Sequence, residues 1–274
     1  MHDRILVPVD GSPYSEEVIP YVLGIQAATG AHLTLLRVIE KESERQEASQ
    51  HVQTLADALK AEASTVLGRG SIAEAILEEA ARVPATLVAI TSRGRGGLLT
   101  AMLGSVALDI VRAGRGQVLV FRPAGKVTAT SEPVQIKTVV LPLDGGELSE
   151  SMQAPAAEWA RVLKASLQVV QVISPDGARA GSQAAPGDIR EHSYVRSRAV
   201  DLAAKHGIEA AWEVLHGEPV EAISSYLNRR RDVLIVMATR GRTAMQAAVL
   251  GSVTSGLLHQ SGAPIVVQVP REGS

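Results

Sequence analysis

The chain has 274 residues, of which 46% are hydrophobic and 3% aromatic, and its formal net charge at pH 7 is −2. A charge this close to neutral indicates no polyanion-binding surface, and scarce aromatic side chains argue against stacking of nucleic-acid bases, so no nucleic-acid partner is expected. The lack of cysteine excludes disulfides and thiolate metal sites, and without a signal peptide or a membrane-length apolar run we expect a cytoplasmic protein with no membrane partner.

The first half of the chain alternates predicted strands and helices. The apolar run "ILVPV" ends at Asp10, after which Ser12 and Pro13 suit the N-cap and first position of a helix that Pro20 should bend. The elements predicted next are a strand at 32–39, an exposed helix within 41–63, a strand at 64–68, a helix at 71–83, a strand at 85–91, a helix at 105–114 and a strand at 117–121. This alternation predicts a parallel sheet with helices on both faces.

The second half repeats the first. "RILVPVDGSPYSEEV" at residue 4 returns as "TVVLPLDGGELSESM" at 138, and "QVLVFRP" at 117 returns as "PIVVQVP" at 264. The offset grows from 134 residues at Asp10 and Asp144 to 147 at Gly104 and Gly251, which places a gain of 13 residues in a loop at 175–188. We therefore predict two doubly wound, five-stranded α/β domains, residues 1–125 and 136–274, joined by a linker at 126–135.

The last strand of each domain is apolar and would lie at a sheet edge, where exposed backbone invites pairing. We expect "QVLVF" and "PIVVQV" to pair within the chain as a pseudo-two-fold dimer of domains. A homodimer of whole chains stays open, as does the protein partner.

Two segments of each half should meet at one crevice, because ligands of open α/β sheets bind beyond the carboxyl ends of the strands. One segment is "PVDGS" at 8–12, and the other is "TSRGRGGLLTAMLGS" at 91–105. Gly94 follows a strand between Arg93 and Arg95, and Gly104-Ser105 opens a helix whose unpaired amides favour an anion. A phosphate chain could lie between these glycines, with Asp10 accepting hydrogen bonds from a ribose or an adenine amino group.

The second copy keeps this spacing in "ATRGRTAMQAAVLGS" at 238–252. Here Gly241 is followed by nine residues and then by Gly251-Ser252, although the residues between them differ from those of the first copy. A glycine turn and a Gly-Ser helix start are each common structural features, and Asp10 could simply cap its helix. Their joint occurrence in both halves favours a binding site.

With these motifs the chain resembles the tandem, two-domain form of the universal stress proteins. ATP-binding members of that family carry Gly-x2-Gly-x9-Gly-(Ser/Thr), and Thr91 and Ala238 stand here in place of the first glycine. The resemblance covers nearly all of both halves. It implies the adenine nucleotide alpha hydrolase-like fold, ATP binding and a role in stress response.

The resemblance also implies site residues by position. Adenine and ribose would be bordered by Pro8, Val9, Asp10 and Val38, and the phosphates by Thr91, Gly94, Gly104, Ser105 and Val106. The equivalents in the second half are Pro142, Leu143, Asp144, Val172, Ala238, Gly241, Gly251, Ser252 and Val253. For Val38 and Val172, core packing is the competing role.

The sequence favours holding a nucleotide over turning it over. It has no P-loop, no Gly-x-Ser-x-Gly elbow, no histidine spacing for a metal and no evident general base. The predicted function is regulation by bound ATP, with Mg²⁺ as a possible companion ion and with one or both halves occupied. The open alternatives are a slow Mg²⁺-dependent ATPase and a scaffold that binds no nucleotide.

Overall fold

The chain folds into two compact units, Met1–Gln135 and Ile136–Ser274. A computed structural model describes residues 2–92, 103–113, 116–122, 132–174, 187–227, 230–239 and 250–268. None of the helices in these ranges combines the length and apolar character needed to cross a membrane.

The first unit is a parallel sheet with helical crossovers, as the alternation predicts. Its strands are β1 (Arg4–Pro8), β2 (His32–Ile39), β3 (Glu62–Leu67), β4 (Thr86–Thr91) and β5 (Gln117–Phe121). Its helices are α1 (Pro13–Glu16), α2 (Ile19–Thr29), α3 (Arg45–Leu59), α4 (Ile72–Ala81) and α5 (Ser105–Ala113), with a 3-10 turn at Glu42–Glu44. The strand order is β3-β2-β1-β4-β5, so the chain winds outward in both directions from β1.

The second unit repeats this topology with the order β10-β9-β6-β7-β8. Its strands are β6 (Thr138–Pro142), β7 (Ser166–Ile173), β8 (Ala210–His216), β9 (Val233–Ala238) and β10 (Ile265–Gln268). Its helices are α6 (Glu147–Glu150), α7 (Gln153–Leu163), α8 (Gly187–His206), α9 (Pro219–Leu227) and α10 (Ser252–Gln260). Helix α8 has 20 residues where α3 has 15, so part of the sequence gain lies in this helix.

The helix predicted after Ser12 is divided in two rather than bent. Ser12 caps α1, since its hydroxyl accepts a hydrogen bond from the Ser15 N–H, and Pro13 takes the first turn as predicted. A continuous helix would drive the ring of Pro20 into the carbonyl of Glu16, four residues earlier. The chain instead ends α1 at Glu16 and restarts with Pro20 in the first turn of α2, where proline is tolerated.

Each unit has its own apolar core around its two central strands. In β1, Ile5, Leu6 and Val7 are fully buried, and β9 is fully buried from Val233 to Val236. Strands covered on both faces have continuous apolar runs, which explains the near absence of alternation in their sequences. The strand order reverses between β1 and β4, and between β6 and β9, so each unit has its crevice at the carboxyl ends of these strands.

Candidate functional site

Asp10, the aspartate that follows β1, is held in a tight turn. Its Oδ1 accepts a hydrogen bond from the Ser12 N–H at 2.8 Å, and its own N–H donates to the hydroxyl of Ser15 at 3.2 Å. Gly11 has a φ of 80°, a left-handed conformation that a side chain would strain. Asp10 therefore has a structural role in the turn, although the N-cap of α1 is Ser12 rather than Asp10, and the turn fixes where the Asp10 carboxylate lies.

The second copy builds the same turn around Asp144. The Gly146 N–H donates to Oδ1 at 2.8 Å, and the Asp144 N–H donates to the Ser149 hydroxyl at 3.2 Å. The Ser149 hydroxyl also donates to Oδ1 at 2.6 Å. Because Oδ1 accepts both hydrogen bonds of the turn, Oδ2 is the oxygen of Asp144 that can accept a hydrogen bond from a ligand.

Sequence reasoning missed the serine that completes each turn. Ser15 and Ser149 both stand five residues after the aspartate, in "DGSPYS" and "DGGELS". This shared spacing is the signal that could have identified them, since a hydroxyl placed there reaches back to the aspartate amide in both copies.

The amide of Gly104 does not face a ligand. It donates to the Ser92 carbonyl at 2.9 Å, and a Cβ on Gly104 would lie 3.2 Å from that oxygen, so a glycine permits the close approach. The first intrahelical bond of α5 runs from the Leu108 N–H to the Gly104 carbonyl at 2.9 Å. The donors that α5 can offer an anion are therefore the amides that follow, those of Ser105, Val106 and Ala107.

The helix of the second site begins in the same way. Gly251 is the extended N-cap residue of α10, and its carbonyl accepts the Ser255 N–H at 2.8 Å. The Thr254 hydroxyl donates to the Ala238 carbonyl at 3.0 Å and so fixes the first turn of α10 against the end of β9. The amides of Ser252, Val253 and Thr254 have no intrahelical partner in this geometry.

A cavity of about 280 Å³ opens at the carboxyl ends of β6 and β9. The structure brings eight of the nine residues predicted for the second copy to its wall: Pro142, Leu143, Asp144, Val172, Ala238, Gly251, Ser252 and Val253. The ninth, Gly241, lies outside the described residues. The wall also includes residues that the sequence did not single out, among them Ser149, Met237 and Thr239.

The predicted residues of the first copy lie at the equivalent strand and helix ends. Pro8 ends β1, and the Val9 N–H donates to the Leu36 carbonyl at 2.8 Å. Thr91 ends β4, while Ser105 and Val106 form the first turn of α5. Val38 is half-buried in β2, and Gly94, Arg93 and Arg95 lie outside the described residues.

Helix α1 ends at Glu16 and helix α6 ends at Glu150, and these equivalent carboxylates have different surroundings. Burial raises the pKa of Glu16, the nearby Asp10 adds to this increase, and His51, whose Nε2 lies 3.5 Å from the carboxylate, opposes it. Its counterpart Glu150 accepts a hydrogen bond from the Tyr194 hydroxyl and pairs with the Arg198 Nε at 3.2 Å. Burial, and then the bond to Glu150, raises the pKa of Tyr194 to about 12.

The cavity wall is mostly uncharged. Asp144 is the one acidic side chain among the described residues that line it. No group of three His, Asp or Glu side chains able to hold a metal ion occurs within the described ranges. The arrangement offers apolar walls, one carboxylate and helix amides to a bound molecule.

The chain thus contains two doubly wound α/β units, each with a crevice at the reversal of its strand order, where open α/β sheets bind ligands. The model of the universal stress protein family matches residues 1–122 and again residues 135–270. The chain belongs to the universal stress protein family, which confirms the resemblance that its motifs indicate.

Individual relatives and solved structures are also similar to parts or all of the chain. Universal stress protein MJ0531 of Methanocaldococcus jannaschii is 26% identical over 137 residues, which cover 48% of this chain and 81% of that protein. The crystal structure of a universal stress protein from Archaeoglobus fulgidus matches with a TM-score of 0.70 at 19% identity, over 99% of this chain and 100% of the other. A universal stress protein from Archaeoglobus fulgidus in complex with dAMP matches 49% of this chain and 98% of its own, at 23% identity and a TM-score of 0.38.

Proposed function

We propose that the chain binds ATP at the crevice of each unit and acts as a nucleotide-dependent regulator rather than as an efficient enzyme. The observation that carries the proposal is the cavity of about 280 Å³ at the strand reversal of the second unit, with Asp144 at one side and the start of α10 at the other. Its volume is close to the lower end of the roughly 300–1,000 Å³ of small-molecule sites. A role in stress response rests on family membership.

The apolar part of the wall suits a purine base. Four apolar residues line the cavity together: Leu143 directly after β6, Val170 and Val172 in β7, and Met237 in β9. A flat aromatic base gains affinity from burial between such side chains, and the Asp144 carboxylate can accept a hydrogen bond from a ribose hydroxyl.

The start of α10 suits the phosphates. Its first three amides lack intrahelical partners, its dipole places partial positive charge there, and Ser252 is exposed at the first position. Arg240 and Arg242 stand beside Gly241 in the sequence and would add fixed positive charge. Asp144 is the carboxylate at this cavity that could contact Mg²⁺ bound by the phosphates.

The test places a negative charge where phosphate is expected. Ser105→Glu and Ser252→Glu should each remove one ATP site, because a carboxylate at the first helical position repels phosphate. The folds should persist, since both serines are exposed and an acidic residue at a helix start interacts favourably with the dipole. Isothermal titration calorimetry should find two sites in the parent chain, one in each single variant and none in the double variant.

Ser105→Ala and Ser252→Ala are the matched controls, and they should keep both sites because the backbone amides remain. Unchanged ATP affinity in the double glutamate variant would contradict the proposal. Phosphate release under Mg²⁺-ATP that Asp10→Asn or Asp144→Asn lowers would favour the slow ATPase instead.

A further inference from the structure

Thr239 carries a buried hydroxyl at the wall of the cavity in the second unit. This residue directly follows β9, its side chain is 1% exposed, and its Oγ1 has no hydrogen-bond partner within the described part of the chain. Its backbone is conventionally paired, since the Thr239 N–H donates to the Gln268 carbonyl at 2.9 Å. The unsatisfied group is therefore the side chain alone.

Such a group needs an explanation, because nearly all buried polar groups in folded proteins are hydrogen-bonded. The unfolded chain satisfies this hydroxyl with water, so burying it without a partner opposes folding. The neighbouring Thr254 shows the usual arrangement, with a buried hydroxyl that donates to the Ala238 carbonyl at 3.0 Å. Both threonines line the cavity, but Thr239 lacks such an acceptor among the described residues.

The position of Thr239 within the cavity indicates what its partner would be. Strands β6 and β9 are parallel neighbours, Asp144 follows the end of β6, Thr239 follows the end of β9, and both residues line the cavity. The Thr254–Ala238 hydrogen bond holds the first turn of α10 next to the same strand end. Thr239 thus shares the cavity wall with the Asp144 carboxylate and the start of α10, where the sugar and phosphates of a nucleotide are expected to bind.

We propose that the Thr239 hydroxyl donates a hydrogen bond to a phosphate oxygen of the nucleotide bound in the second unit. The inference rests on the proposed ATP site and assigns one specificity-determining residue to it. An anionic oxygen is the strongest acceptor for a hydroxyl, and the amides of Ser252 and Val253 favour an anion at the same end of the cavity. The first copy has Ser92 at this position, so both copies place a hydroxyl residue there.

The experiment uses the full chain carrying Ser105→Glu, so that calorimetry reports the second site alone. Thr239→Val replaces the hydroxyl with a methyl group of similar shape, and Thr239→Ser keeps a hydroxyl. ATP affinity should fall about tenfold in Thr239→Val, the effect of losing one charge-assisted hydrogen bond, and should recover in Thr239→Ser. Affinity for adenosine, which has no phosphate, should change less than twofold, well under the tenfold effect.

The stability of the nucleotide-free chain should respond to Thr239→Val differently from its ATP affinity. The urea midpoint without nucleotide should stay the same or rise in Thr239→Val, because the variant removes an unsatisfied buried group. Thr254→Val is the matched control, and it should lower the midpoint because that hydroxyl is paired in the folded chain. Loss of affinity together with unchanged or higher stability is expected only of a hydroxyl reserved for a ligand.

Each other result is decisive. Unchanged ATP affinity in Thr239→Val would overturn the inference and leave the proposed function standing, and so would an equal loss for adenosine and ATP. A lowered urea midpoint in Thr239→Val would show that the hydroxyl is paired within the fold, and would overturn it as well. Absence of ATP binding in the Ser105→Glu parent would refute the proposed site in the second unit and the inference with it.

Discussion

Glu16 and Glu150 occupy the same position of the repeat, 134 residues apart, but the groups that surround their carboxylates differ. Burial is the largest influence on Glu16 and raises its pKa, whereas Glu150 receives a tyrosine hydroxyl, the Gln153 side-chain amide and the guanidinium of Arg198. The folded first unit thus raises the pKa of Glu16, while the second unit surrounds the Glu150 carboxylate with three hydrogen-bond donors.

We expect Glu16→Gln to stabilise the chain slightly at pH 7, by no more than about 1 kcal/mol. A raised pKa in the folded state means that the stabilising contribution is complete below the reference pKa of 4.5 and is lost as the pH rises through the folded pKa. The difference between variant and parent should therefore vanish below pH 4.5 and appear above it. Urea unfolding followed by circular dichroism from pH 4 to 8 measures this difference.

Glu150→Gln is the control at the equivalent position, and its effect should have the opposite sign. Losing the anionic acceptor should cost about 1 kcal/mol and should lower the pKa of Tyr194 from its value of about 12, because the charge and hydrogen bond of Glu150 both raise it. Ultraviolet titration of the tyrosines reports the pKa. Equal effects of the two glutamine substitutions would contradict the difference in environment.

The sequence predicts the role of a residue well when that role depends on neighbours close by in the chain. The capping role of Ser12 and the turn at Asp10 depend on neighbours within five residues, so the sequence alone indicates them. The hydrogen bond from the Gly104 amide to the Ser92 carbonyl forms because of where α5 packs. Whether the Thr239 hydroxyl finds a partner is decided by the residues that surround the end of β9. No periodicity encodes such tertiary placement, so these features required coordinates.

At the scale of elements, residues 132–135 pack against α2, although the sequence predicts them as part of a linker. The Val134 N–H donates to the Pro20 carbonyl at 2.8 Å, and the backbone of Val134 lies directly over Gly24. A Cβ at Gly24 would overlap the Val134 carbonyl oxygen. The absence of a side chain at Gly24 is therefore what allows this segment to lie on the helix.

Gly24→Ala should destabilise the first unit by about 1–3 kcal/mol, the usual cost of overpacking. In an unobstructed helix the same change should stabilise by roughly 1 kcal/mol, so the sign of the effect is diagnostic. Circular dichroism during urea unfolding measures it, and faster proteolysis between Glu132 and Gln135 should accompany it. Gly256→Ala, whose new Cβ would overlap the Val220 side chain in the second unit, should also destabilise but should leave proteolysis at 132–135 unchanged. A stabilising Gly24→Ala would refute the contact with Val134.

At the scale of the whole molecule, the two units share a strand order but differ in their natural spectroscopic probes. Both tryptophans of the chain belong to the second unit, Trp159 in α7 with 1% of its surface exposed and Trp212 in β8. Because the second unit has its own core, tryptophan emission should follow the unfolding of that unit, whereas circular dichroism follows both.

This difference allows ATP binding to be assigned to a unit without dividing the chain. ATP at one hundred times its dissociation constant should stabilise the unit that binds it by about 2.7 kcal/mol, because only the folded site has affinity for it. The tryptophan-detected urea transition should therefore move to higher urea in the parent chain and in Ser105→Glu, and should not move in Ser252→Glu. If Ser105→Glu removed the shift while Ser252→Glu kept it, the second cavity could not be the source of the stabilisation, and the ATP site would have to be sought at α5.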